Sequence, residues 1–118
     1  MTTKNQNRRS APEAGILEEL FAVIESRKGG DAATSHTARL FQSGTGEIAK
    51  KVGEEAVEVV NEGMRGGGEA LADESADLLY HLLVLWADRG VAPADVWQVL
   101  ADRFGTSGIA GKASRKKS

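Results

Sequence analysis

The chain has no cysteine among its 118 residues. This absence excludes a disulfide framework, thiol catalysis and cysteine-bound zinc, and it fits a reducing compartment. Long apolar runs are also absent, because the longest, residues 82–87, is far below the roughly 20 residues that a membrane span needs. The polar N-terminus contains no apolar segment of a secretory signal, so we expect no membrane partner.

Positive charge is scarce in the body of the chain. Seven of the 15 Lys and Arg residues lie in the first nine or the last seven positions. Residues 10–111 carry eight basic and 17 acidic side chains, a net charge of −9. Such a body repels nucleic-acid backbones and attracts cations, so we expect no nucleic-acid partner.

The overall composition is typical of one globular domain, with 41% hydrophobic and 27% charged residues. Apolar residues recur at helical spacing, and no segment alternates in the manner of a half-buried strand. We therefore predict an all-α bundle of four to five helices over residues 13–105. We expect residues 1–12 to be a disordered arm and residues 106–118 a basic tail.

Short polar residues, proline and glycine mark the predicted helix boundaries. Ser35 and Thr45 suit the N-caps of the second and third helices, and Pro93 suits the first turn of the fifth. Glycine residues follow each segment and provide the stops. The predicted helices cover residues 13–28, 34–43, 46–65, 69–89 and 93–104.

The fourth predicted helix, 69–89, is apolar over most of its circumference. Leucine, valine and tryptophan side chains cover nearly every direction at about 100° per residue. A chain of this size has too few other helices to bury it on all sides. We therefore predict a homodimer that associates through this helix.

Acidic residues on the third helix follow the pattern E-E-x-x-E, formed by Glu54, Glu55 and Glu58, with Glu62 one turn further on. Helical geometry places all four in one quadrant of the helix. Glu55 lies at the border of the apolar face. If these glutamates have no functional role, they form a solvated acidic face that is balanced by Lys50, Lys51 and Arg65.

A second acidic pattern, E-x-x-D, lies on the fourth helix at Glu74 and Asp77. These residues belong to the only polar stripe of that helix. His81 shares the stripe, and we expect it to support a ligand by hydrogen bonding rather than to bind metal itself. If the two helices pair, they present four carboxylates to one another, those of Glu55, Glu58, Glu74 and Asp77.

Several half-buried carboxylates without partners destabilise a protein. A hard divalent cation removes this cost, and Mg²⁺ accepts carboxylate, water and phosphate oxygens together. Carboxylates on rigid helices around Mg²⁺ suggest hydrolysis of a phosphoanhydride, because the ion stabilises charge on the phosphates and acidifies the attacking water.

Five segments together resemble the phosphoribosyl-ATP pyrophosphatase family. They are KKVGEEAVEVV at 50–60, ESADLLYHLLVL at 74–85, TARLF at 37–41, SGI at 107–109 and KASR at 112–115. The two acidic motifs alone mark only the wider superfamily of all-α nucleotide pyrophosphohydrolases. The resemblance covers about residues 16–115.

This resemblance implies a cytoplasmic, Mg²⁺-dependent homodimer that cleaves phosphoribosyl-ATP to phosphoribosyl-AMP and pyrophosphate in histidine biosynthesis. Carried over by motif, the metal ligands are Glu55, Glu58, Glu74 and Asp77, and Glu54 is a ligand or the base for water. The implied phosphate contacts are Arg39, Lys50, Lys51, Lys112 and Arg115. His36 stands where an aromatic residue is expected in the family.

Two other classes of function are consistent with these residues. A related all-α pyrophosphohydrolase acting on another nucleoside triphosphate requires the same acids but not the basic tail. A non-enzymatic helical interaction module requires neither Mg²⁺ binding nor stabilisation by Mg²⁺. Release of pyrophosphate from a panel of substrates separates the three.

Overall fold

The computed structural model describes residues 13–105, which form five helices and no strand. The helices are α1 (Gly15–Ser26), α2 (His36–Ser43), α3 (Thr45–Arg65), α4 (Gly68–Arg89) and α5 (Pro93–Asp102). The all-α prediction is therefore confirmed for this part of the chain. The predicted arm at 1–12 and the basic tail at 106–118, which includes Lys112 and Arg115, lie outside the described residues.

Helices α3 and α4 pack along one another as a hairpin. Only Gly66 and Gly67 connect them, so the two helices run antiparallel. Gly66 has a φ of 78°, in the left-handed region that a side chain would strain. This glycine allows the sharp reversal that places the two acidic motifs on neighbouring helices.

The best-packed part of the core lies at one end of this hairpin. Ile48, near the start of α3, packs there with Leu83 and Val84 from the second half of α4. Ile24 of α1 and Leu40 of α2 close the same cluster. The other half of the hairpin has no fully buried side chain among the described residues.

Helix α5 and the first helix cover the core end of the hairpin. Trp97 of α5 meets Trp86 of α4 edge to face, with ring centroids 6.1 Å apart.

Within residues 13–105, no helix combines the length and the apolarity needed to cross a membrane.

Two of the predicted boundary residues are confirmed. The Ser35 hydroxyl accepts a hydrogen bond from the Ala38 N–H at 3.1 Å, which makes it the N-cap of α2. Pro93 begins α5, where its missing N–H costs no helical hydrogen bond.

The prediction that Thr45 caps α3 is wrong. Thr45 is the first residue of the helix and Gly44 precedes it, without a capping side chain. The Thr45 hydroxyl instead donates to Asp88 Oδ2 at 2.5 Å, across to the end of α4. A tertiary partner has therefore replaced the local one.

Two helices end earlier than their glycine stops predict. Helix α1 ends at Ser26, and Arg27 is its C-cap. Helix α5 ends at Asp102, and Arg103 is its C-cap. The N–H groups of these arginines bond to carbonyls three residues back, at 3.0 and 3.1 Å. Such bonds tighten the last turn and close the helix before a glycine is reached.

Candidate metal centre

Three carboxylates meet across the α3–α4 hairpin. One oxygen from each of Glu55, Glu74 and Asp77 lies within 4.8 Å of the others. Glu55 and Glu74 are half-buried, whereas Asp77 is exposed. The spacing of three residues between Glu74 and Asp77 places both on the side of α4 that faces α3. We call these three residues the carboxylate group.

Glu74 lies in a strongly negative environment. Its partial burial, followed by the negative charges of Asp77, Glu58, Glu55 and Glu62, raises the pKa of its carboxyl above the ordinary value. The ionised form is therefore disfavoured unless a cation enters. The raised pKa of Glu74 is thus the effect that closely spaced carboxylates are expected to have on one another.

Glu58 and Glu54 differ from Glu55 in position. Glu58 lies one turn after Glu55 on α3 and acts on Glu74 through its charge, but it lies outside the carboxylate group. Glu54 is exposed and pairs with Lys51, with Nζ and Oε1 3.5 Å apart. Adjacent helical residues point about 100° apart, which explains why Glu54 and Glu55 have different surroundings.

The basic residues expected to contact phosphate are distributed over two helices. Arg39 on α2 is exposed, and its guanidinium donates to the Ala32 carbonyl at 3.0 Å. Lys50 is exposed on α3, next to the ion-paired Lys51. Glu62, which also faces Glu74, has its own cation in Arg65, at 3.6 Å.

Three aromatic rings lie together where α2 meets α4, about one turn after Asp77. His81 is buried, and its Nδ1 lies 2.8 Å from the Asp77 carbonyl oxygen. Tyr80 and His36 complete the group: the Tyr80 ring lies 4.9 Å from His81 and 6.3 Å from His36, between centroids. The hydroxyl groups of Tyr80 and Thr37 share a hydrogen bond of 2.5 Å.

Sequence reasoning did not place Tyr80 and Thr37 at the site. A signal for Tyr80 was present, because it follows Asp77 by three residues and so lies on the same side of α4. Thr37 offered no such signal, since its contact depends on how α2 crosses α4.

A family model for phosphoribosyl-ATP pyrophosphohydrolase matches residues 17–104. The chain belongs to this family. Residues 17–104 include the whole carboxylate group and all three aromatic residues beside it. The resemblance of the sequence motifs to phosphoribosyl-ATP pyrophosphatase is therefore confirmed.

Relatives named phosphoribosyl-ATP pyrophosphatase align over nearly their full length. The protein of Azospirillum brasilense is 61% identical over 103 residues, covering 87% of this chain and 93% of the relative. That of Paramagnetospirillum magneticum is 60% identical over 107 residues, covering 91% and 98%. That of Rhodospirillum rubrum is 57% identical over 106 residues, covering 90% and 91%.

Proposed function

We propose that the protein hydrolyses phosphoribosyl-ATP to phosphoribosyl-AMP and pyrophosphate, the second step of histidine biosynthesis. Its membership of the phosphoribosyl-ATP pyrophosphohydrolase family carries the proposal. Water supplies the oxygen that forms the new P–O bond, the α–β anhydride bond breaks, and pyrophosphate leaves. The negative site and the charged substrate then require cations between them.

The carboxylate group suits Mg²⁺ as that cation. Its donors are all carboxylate oxygens, which Mg²⁺ prefers. Glu55, Glu74 and Asp77 would hold the ion, because one oxygen of each already lies within 4.8 Å of the others. When bound, Mg²⁺ supplies charge neutralisation at phosphate oxygens and a more acidic water.

Each acid has a separate role in this proposal. Glu55, Glu74 and Asp77 hold the cation, and Glu58 completes the set from the next turn of α3. Glu54 accepts the proton of the attacking water, with Glu55 beside it. In this proposal the Lys51 ammonium, which pairs with Glu54 at 3.5 Å, moves to a phosphate and leaves the carboxylate free to accept the proton.

Basic side chains neutralise the phosphates that the cation does not reach. Arg39, Lys50 and Lys51 are the proposed contacts among the described residues. Lys112 and Arg115 are proposed contacts from the tail. The substrate carries a triphosphate and a separate 5-phosphate, while residues 10–111 have a net charge of −9. Cations from the tail therefore offset the repulsion between the substrate and the acidic body, which the body's own basic residues cannot offset. His81 supports Asp77 through its backbone contact.

We also propose that two copies of the chain associate. Val57, Val60 and Met64 of α3 are 57%, 62% and 84% exposed, and Leu79 of α4 is 41% exposed. The three α3 residues follow helical spacing along one side. They lie in the half of the hairpin that lacks a packed core. A second copy would cover this apolar stripe, with α4 contributing less of the interface than its sequence predicts.

We propose a cytoplasmic location for the protein, because its substrate is made from ATP and its product is consumed by the next biosynthetic reaction.

A substrate panel tests the function. Phosphoribosyl-ATP, ATP, dCTP and dUTP are incubated with the protein and Mg²⁺, and pyrophosphate is measured. We expect release from phosphoribosyl-ATP at a rate well above that from the other three. Preferred hydrolysis of another triphosphate would contradict the proposal.

A further inference from the structure

His36 is an exposed ring that the fold holds in place from both sides. Ser35, just before it, caps α2 through its hydroxyl. Thr37, just after it, shares a hydrogen bond with Tyr80 on α4. The His36 ring is nearly parallel to that of Tyr80, with an angle of 22° between the planes and 6.3 Å between the centroids.

The position of this ring relative to the carboxylate group is also defined. Tyr80 follows Asp77 by three residues, so it lies on the same side of α4, about 4.5 Å further along the helix axis. His81 contacts the Asp77 carbonyl directly, and its ring centroid is 6.5 Å from that of His36. Tyr80 and His81 therefore lie about one helical turn beyond Asp77, and His36 lies beside them.

We propose that His36 binds the purine ring of the substrate by stacking, with Tyr80 supporting it from behind. The inference rests on the proposed function. In phosphoribosyl-ATP a single ribose joins the purine to the α-phosphate, so a phosphate at the carboxylate group brings the purine near the aromatic rings. Exposed aromatic faces bind nucleobases in this manner.

The substrate offers a further reason for an aromatic contact. Substitution at N1 makes adenine more basic, so the purine of phosphoribosyl-ATP carries positive charge near neutral pH. A cationic ring is attracted to the face of an aromatic side chain in addition to stacking on it. His36 is thus a residue that determines substrate specificity, and it takes no part in the proton transfer or in metal binding.

The test compares four proteins: wild type, His36→Ala, His36→Phe and the control Gln42→Ala. Gln42 is exposed on the same helix. For phosphoribosyl-ATP we expect His36→Ala to raise KM about tenfold and to leave kcat within about twofold, because one stacking contact is lost. His36→Phe and Gln42→Ala should stay close to wild type. The increase in Tm caused by Mg²⁺ should be the same in all four.

Three results would overturn the inference. They are an unchanged KM in His36→Ala, equal damage in His36→Phe and His36→Ala, and loss of the Mg²⁺ effect in His36→Ala alone. The second would show that the imidazole acts as a hydrogen-bond donor or a cation. If the wild type fails to cleave phosphoribosyl-ATP, the proposed function is wrong. The Kd of ATP for the same four proteins then decides the stacking role separately, with the same order expected.

Discussion

Glu74 shows how single residues determine the chemistry of this site. Its carboxylate is half-buried between α3 and α4 and faces four other acids. We expect such an arrangement to destabilise the metal-free protein and to favour the binding of a cation. Removal of the Glu74 charge should therefore raise the stability of the metal-free protein and lower its affinity for metal.

Replacement of Asp77 by Asn should reduce kcat/KM for phosphoribosyl-ATP about a hundredfold or more, because one charged oxygen ligand is lost from the carboxylate group. Circular dichroism should show unchanged helix content. Asp73→Asn, at an exposed position one turn earlier on α4, is the matched control and should retain activity. Near-normal turnover by Asp77→Asn would show that the metal site lies elsewhere.

The raised pKa of Glu74 predicts a pH-dependent effect of Glu74→Gln on stability without metal. The folded state favours the protonated carboxyl more than the unfolded state does, so ionisation of Glu74 opposes folding. In the absence of Mg²⁺, Glu74→Gln should therefore have a higher Tm than wild type at neutral pH. The difference should shrink as the pH falls through the raised pKa of Glu74 and vanish well below about pH 4.3, where both states are protonated.

Saturating Mg²⁺ should reverse this order, since only the wild type keeps the complete carboxylate group. Thermal melts over pH 4 to 8 with EDTA and with Mg²⁺ give both comparisons. Asp73→Asn again serves as the control. A Glu74→Gln protein that is less stable than wild type at neutral pH without metal would contradict the electrostatic account.

At the scale of helices, the α3–α4 hairpin extends beyond the core that anchors it. Its core end is held by Ile48, Leu83 and Val84. The carboxylate group lies near the middle, where the buried side chains end. Alignment of the two helices at the core end therefore determines whether the carboxylates meet further along.

The hydrogen bond from Thr45 to Asp88 contributes to this alignment, because it joins the first turn of α3 to the last turn of α4. Thr45→Val should lower the free energy of unfolding by about 1 kcal/mol. A double-mutant cycle with Asp88→Ala, followed by urea denaturation, should give a coupling energy of similar size. A cost that is the same with and without Asp88 would indicate local capping instead.

The whole molecule combines an exposed apolar stripe with an acidic body. Val60 lies at the centre of the stripe formed by Val57, Val60 and Met64. Light scattering should give a mass of twice the 12.5 kDa chain. Val60→Glu should raise the dimer dissociation constant at least about a hundredfold, because a charge would be buried. Leu100→Glu, at an exposed apolar position of α5, should leave the dimer intact.

The basic tail gives a second prediction at this scale. Deletion of residues 112–118 should raise KM for phosphoribosyl-ATP several-fold, because Lys112 and Arg115 no longer offset the substrate's charge. The increase in Tm caused by Mg²⁺ should not change. Unaltered kinetics would assign the phosphate contacts to Arg39, Lys50 and Lys51.

The sequence by itself determined the helices and the family. Local periodicity places Glu74 and Asp77 on one side of a helix, and Gly66 and Gly67 mark the turn between α3 and α4. These features depend only on neighbours in the chain, so they can be predicted from spacing. The sequence also predicted that Glu55, Glu74 and Asp77 lie together, whereas Glu58, predicted as a fourth member, lies outside the carboxylate group.

Only the tertiary structure decided which side chains meet between helices. Periodicity gives the side of each helix but neither its rotation nor its offset along a partner. Those are set by packing at the core end. For this reason Thr45 bonds to Asp88 instead of capping α3. Thr37 and Tyr80 are likewise 43 positions apart in the chain, and their contact depends on how α2 crosses α4.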